Sequence, residues 1–149
     1  AALTQRYDHN LNLETTALLC ALAIAFYFLT TVLVLTIDIG GKWLLIGRRQ
    51  PGRYNWDQSS YNQRWQLHKQ LQGLRSGAGT HGHSVASFWQ GSQYLVWYFR
   101  ALGAHIGDRV CLYPNGASPM MTEPDLVTIE DMAGVDHASL VAHINTKVR

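Results

Sequence analysis

A chain of 149 residues with 12 Lys plus Arg against 10 Asp plus Glu has room for about one domain, and its net charge of +2 lacks the dense basic face on which nucleic-acid affinity rests. Two cysteines, Cys20 and Cys111, cannot staple a secreted module, and no CxxC or HExxH spacing offers a metal site. Nucleic acid and metal are therefore not expected as partners. The mean hydropathy of −0.08 is ordinary for a soluble protein, but it averages over apolar residues that are concentrated in one stretch.

After an N-terminal flank (1–14), the 23 residues from Thr15 to Ile37 contain no Asp, Glu, Lys, Arg or His. As a helix they would reach roughly 34 Å, enough for a hydrocarbon core of ~30 Å. A cleaved signal peptide would place basic residues before a shorter apolar core. Here Asp8 and Glu14 precede a longer one. A soluble helix apolar on every face would need a large protein around it. The stretch reads as one transmembrane helix (15–37). Arg6 is the only basic residue before it, whereas Lys42, Arg48, Arg49 and Arg53 follow it, so the C-terminal region is expected in the cytoplasm. Trp43 fits an interfacial anchor at that end.

The segment 38–55 is a basic linker whose Ile46–Tyr54 portion combines Gly, Pro and arginines, as an exposed turn does. From 56 to 103 the sequence predicts aromatic interfacial helices. Trp56, Tyr61, Trp65, His68 and Leu71 or Gln72 recur at helical spacing, giving a helix over about 58–74 with one aromatic face, set either on lipid headgroups or on protein. The Gly-rich stretch Gly73–Gly82 breaks it. His81 and His83 lack an acidic or Cys neighbour for a metal, and Ser84 lacks the flanks of a carrier-domain attachment serine, so this stretch reads as a loop. Residues 84–102 predict a second aromatic helix. Gln90, Gly91, Ser92 and Gln93 interrupt its centre, which favours an interfacial or re-entrant helix over a second span.

Beyond Gly103 the period changes to six. Ile106-Gly107-Asp108-Arg109-Val110, Ile129-Glu130-Asp131-Met132-Ala133 and Val135-Asp136-His137-Ala138-Ser139 each begin with an aliphatic residue and end with a small or β-branched one. Residues 129–146 form three consecutive sixes, IEDMAG, VDHASL and VAHINT. Such hexapeptide repeats place the aliphatic residue inside a triangular prism and stack coils on a shared core. The segment 104–149 is thus expected to be the start of a left-handed parallel β-helix, with a loop around Gly116–Pro124 interrupting it. The fold class expected overall is membrane α + β.

Three strings in this order, Arg100–Gly107 (RALGAHIG), Thr122–Ile129 (TEPDLVTI) and Asp136 through His143, resemble the C-terminal region of ε-poly-lysine-synthetase-like nonribosomal peptide synthetases. The likeness covers about residues 100–145. It implies a membrane region carrying acyltransferase-like hexapeptide domains, with adenylation and carrier domains and further β-helix coils outside this chain. It also marks Asp125, Asp136 and His143 as motif positions. Glu130 stands where that family usually has Gly.

A hexapeptide acyltransferase needs a base for the attacking amine or hydroxyl, and an imidazole suits that task. His143 is the candidate base, with Asp136 orienting it or holding a cationic amine. Asp125 and His137 are candidate substrate-binding residues, Asp125 alternatively turning the chain before Leu126, and His105 is a further candidate base. The expected donor is a thioester on the phosphopantetheine arm of a separate carrier domain, and the acceptor an amino acid or amine. The alternatives are CoA as the donor's carrier in an acetyltransferase, and a non-catalytic β-helix scaffold with a membrane anchor.

Overall fold

In a computed structural model of the chain, residues 13–55, 58–75, 85–116 and 120–144 are described. Two compact units divide it, residues 1–32 and residues 33–149.

Helix α1 runs Leu13–Leu45, with Glu14 in its first turn and Lys42 in its last, each on the side the helix dipole favours. Its Glu14–Leu45 portion is long and apolar enough to cross a membrane. In the first unit Leu18, Leu22, Phe26 and Leu29 are exposed, as side chains facing lipid would be. The helix stops where the amides of Ile46 and Gly47 both bond the Lys42 carbonyl and Gly47 takes a φ of 68°, a left-handed cap that glycine adopts at little cost. α1 thus runs about two turns past the C-terminal end of the charge-free stretch. Asp38 and Lys42 do not end it, because both side chains are buried against partners elsewhere in the second unit.

Helix α2 (Ser60–Arg75) packs on the end of α1 at Gly41, where a Cβ would come within 2.8 Å of Leu71 Cδ1. Tyr61 and Trp65 are half-buried and His68 and Gln72 are buried, so the stripe read from the sequence faces protein. Trp56, His81, His83 and Ser84 lie outside the described residues.

The second aromatic segment is two short pieces, a 3-10 helix Val85–Trp89 and α3 (Gln93–Ala101), broken at Gly91 with its φ of 68°. Nine helical residues reach only about 14 Å, too short to span a bilayer. Leu95, Val96, Tyr98 and Phe99 form the inner face of α3. With Ala86, Leu102, Ile106, Val110, Leu112, Tyr113, Met121 and Ile129 they make the core, against which Leu35 and Ile39 of α1 pack.

Among the described residues six two-residue strands follow: β1 His105–Ile106, β2 Cys111–Leu112, β3 Met120–Met121, β4 Thr128–Ile129, β5 Gly134–Val135 and β6 Ser139–Leu140. They pair as three separate parallel ladders, β1 with β4, β2 with β5 and β3 with β6. Ile106 registers with Ile129 and Leu112 with Val135, so the aliphatic positions of successive repeats lie side by side. The described residues of the expected loop over 116–124 include β3 and lead into a 3-10 turn, Pro124–Leu126. Arg109 and Met132, 23 residues apart, adopt nearly the same left-handed φ of 56° and 58° at equivalent corners.

Gly107 shows why the repeat calls for glycine. A Cβ there would meet Asp131 Oδ1 at 2.3 Å, because Asp131 reaches across to accept the Asp108 amide at 2.8 Å. Glu130, the equivalent residue one repeat later, is exposed and meets no such constraint. The third hexad, VAHINT, forms no strand over its described part, 141–144.

Candidate functional site

The turn Pro124–Leu126 and the residues before it collect the buried charge of the second unit. Proline at its first position pre-sets φ, and the Leu126 and Val127 amides close onto the Glu123 and Pro124 carbonyls. Glu123 and Asp125 are thereby held on the same short turn, both buried.

Asp125 accepts from the Arg49 amide at 2.6 Å and from Arg49 Nη1 at 2.8 Å, and its Oδ2 lies 3.1 Å from Lys42 Nζ. All three side chains are essentially inaccessible. Gly103, at φ 105°, makes room for this cluster, since a Cβ there would stand 2.8 Å from Asp125 Cβ. Burial alone would push the Asp125 carboxyl up, but the Arg49 amide and guanidinium and the Lys42 ammonium together hold it below the usual carboxylate range. Next to this cluster on α1, Asp38 accepts a short hydrogen bond from the Tyr98 hydroxyl and faces His68 Nε2 at 3.1 Å.

Glu123 carries the arrangement closest to a catalytic one. Its carboxylate accepts from the Thr122 hydroxyl, from the Ala142 amide at 3.1 Å and from Trp65 Nε1 at 3.3 Å, and it meets His143 Nδ1 at 2.9 Å. Burial pushes the carboxyl up, yet the hydrogen bonds from Thr122 and His143 outweigh it, so Glu123 is held below the ordinary range. An ionised carboxylate only accepts, so His143 Nδ1 must be the donor. In the neutral ring the lone pair is then on Nε2. The His143 side chain is 33% exposed, and the Trp65 ring packs edge-on against it at 5.5 Å between centroids. A carboxylate fixing one nitrogen of a partly exposed imidazole is an arrangement a general base can use.

The residues singled out from sequence therefore separate. His143 is paired with Glu123, not with Asp136. Asp136 sits at the corner after β5, where Asn115 donates to it in a short hydrogen bond and His137 Nδ1 lies 3.1 Å away. The Asn115 contact foremost holds the Asp136 carboxyl below its ordinary value. His137 is exposed at a left-handed φ of 49°, and His105 is exposed on β1 opposite Thr128. Asp125 both forms part of the turn before Leu126 and binds the chain's own cations. Glu123 was not singled out by sequence reasoning, although it lies inside the TEPDLVTI string and its partners Trp65 and His143 are 58 and 20 residues away. Among the described residues no group of three or more His, Cys, Asp or Glu is placed to hold a metal ion.

The depressed carboxyls give the junction a pH dependence. A group whose folded pKa lies below its unfolded value stabilises the fold above the unfolded value and loses that contribution as pH falls through the folded one. With unfolded values of about 4.5 for Glu123 and 3.8 for Asp125, thermal stability should hold from pH 7 to about 5 and fall steadily below that. Melting curves of the detergent-solubilised protein check this. A melting temperature unchanged between pH 7 and pH 3 would contradict it.

Comparison with known protein families, with characterised proteins and with solved structures gave no match.

Proposed function

We propose that the chain is a membrane-associated acyl-transfer module that forms an amide bond between an amine and a carrier-bound aminoacyl or peptidyl thioester. In this reading it is part of a nonribosomal-peptide-synthetase-like enzyme, with residues 56–149 on the cytoplasmic side, and the three parallel ladders are the first stacked coils of a left-handed β-helix. The constant offset of β1–β4 and β2–β5 and the repeated corner at Arg109 and Met132 support the β-helix reading. The observation that carries the chemical reading is the His143–Glu123 pair.

In the mechanism this pair suggests, His143 Nε2 removes a proton from the acceptor amine as its nitrogen attacks the thioester carbonyl. The C–N bond forms, the C–S bond breaks, and the imidazolium returns its proton to the departing thiolate. Glu123 keeps Nδ1 as the donor and stabilises the cationic ring. Asp136, ionised and only 26% exposed, is the residue we assign to first capture of a cationic acceptor, with His137 beside it; the acceptor gives its ammonium proton to water and reaches His143 as the neutral amine. The thioester is a substrate delivered by a separate domain, and no residue here is assigned to its pantetheine arm. We assign Asp125 to structure, because its carboxylate is taken up by Lys42 and Arg49.

That same cluster, in which Asp125 is taken up by the chain's own cations, favours a second reading, a non-catalytic scaffold in which charge is used only to fix the strands to α1. Single-turnover assays of the intact membrane protein separate the readings. Transfer from a carrier-bound aminoacyl thioester to an amine is the expected result. Turnover with acetyl-CoA and not with the carrier thioester would indicate an acetyltransferase, and turnover with neither a scaffold.

A further inference from the structure

We propose that the outer face of residues 85–101 rests on the lipid headgroup boundary, as a surface continuous with the lipid-facing side of α1. This inference rests on α1 being a membrane span and is independent of the transfer chemistry.

Within the second unit, Leu33, Ile37 and Leu44 fall within about 40° of one another around α1 at 100° per residue. All three are exposed, Leu44 by 86%. Trp43 flanks that face. Its indole Nε1 donates to the Ala101 carbonyl at 2.7 Å, which ties the end of α1 to the end of α3 while leaving much of the ring accessible. From Ala101 the aromatic surface continues through Trp97 and Tyr94, three and four residues apart on one side of α3 and 55% and 56% exposed. Tyr94 lies 5.4 Å from Trp97 and 4.9 Å from Trp89 between ring centroids, and Phe88 follows at 5.5 Å from Trp89. One row of rings therefore runs from Trp97 to Phe88, and the Trp43–Ala101 hydrogen bond joins its α3 end to α1.

Charge supports the assignment to lipid. No charged side chain occurs from Ser84 to Phe99. The first one, Arg100, is taken up by the Ile106 and Gly107 carbonyls at 3.0 and 2.8 Å and by Asp108 Oδ1 at 3.3 Å. On α2, by contrast, the exposed positions include Gln63, Arg64, Gln66 and Gln70. A patch of exposed Trp, Tyr and Phe this size is unusual on a water-facing surface. Depth agrees as well. The 33 residues of α1 reach roughly 50 Å against a bilayer of ~40–45 Å including headgroups, so its last turns emerge at the level where Trp and Tyr belts sit.

Spin labels on the full chain in lipid nanodiscs test the proposal. In a Cys20→Ala, Cys111→Ala background, single labels are placed through Trp97→Cys, Tyr94→Cys, Gln63→Cys and Leu29→Cys, the last on the proposed span. Collision with oxygen, which partitions into lipid, is compared with collision with a water-soluble nickel chelate. The expected oxygen-to-nickel ratio is severalfold higher at 97, 94 and 29 than at 63. Tyr94→Cys serves if Trp97→Cys does not fold. A ratio at 97 and 94 no higher than at 63, with 29 reading lipid, would overturn the proposal and leave the span intact. A water-like ratio at 29 would overturn the span, and this proposal with it.

Discussion

Replacing Asp125 with Asn should lower the melting temperature of the detergent-solubilised protein by roughly 6–20 °C. The substitution keeps the shape of the side chain and removes the one negative charge facing Lys42 Nζ and Arg49 Nη1 at 3.1 and 2.8 Å. With no accessible surface on either cation, water cannot take over the lost role. Leaving a buried charge without its partner costs about 3–5 kcal/mol. At ~2–4 °C per kcal/mol for a chain of this size, that gives the stated shift. The pair is better judged by a cycle than by a single loss. Lys42→Met combined with Asp125→Asn should cost less than the sum of the two changes, since the double variant no longer strands the lysine. A drop under about 3 °C for Asp125→Asn alone would show that the cluster is not the buried junction described.

Glu123→Ala is the other change expected to have a large effect. It takes away the acceptor shared by the Thr122 hydroxyl, the Ala142 amide, Trp65 Nε1 and His143 Nδ1. Orphaning a buried donor costs about 1–3 kcal/mol where no water replaces the acceptor, and because three of the four contacts are only part-buried, so that water can offset much of their loss, a total of roughly 2–4 kcal/mol is expected. Glu123→Gln keeps one carbonyl oxygen for the Ala142 amide and should cost less stability. It should still impair transfer, because the amide no longer requires Nδ1 to be the donor and cannot stabilise the imidazolium. Comparing the two variants separates folding from chemistry. Equal transfer rates in Glu123→Gln and wild type would remove Glu123 from the mechanism.

Much of this could be read from the chain because local pattern decides it. Twenty-three residues without a charge define most of α1, and aliphatic residues every six place Ile106, Ile129 and Val135 on the paired strands. What was not legible depends on partners far away in sequence. Asp38 and Lys42 look like the charged end of a span, yet they are helical and buried through His68, Tyr98 and Asp125, contacts that no periodicity encodes. The stripe of α2 is the same string of residues whether it meets lipid or protein, and the buried His68 decides for protein. β3 was hidden because the chain between β2 and β3 is longer than that between β5 and β6, which takes Met120 out of the six-residue register. At the candidate site, His143 was singled out by its place in a string that resembles a family motif, with Asp136 as its expected partner. Its partner was missed, because Asp136 is near in sequence whereas Glu123 is near in space.

The central claim is that His143 is the general base, and single-turnover transfer from a preloaded carrier thioester to an amine tests it most directly. His143→Ala in the intact protein, with its melting temperature measured alongside, should form product about 10²-fold more slowly or worse, while carrier loading by any adenylation partner is unchanged. Product forming at the wild-type rate in a His143→Ala protein of unaltered stability would contradict the account.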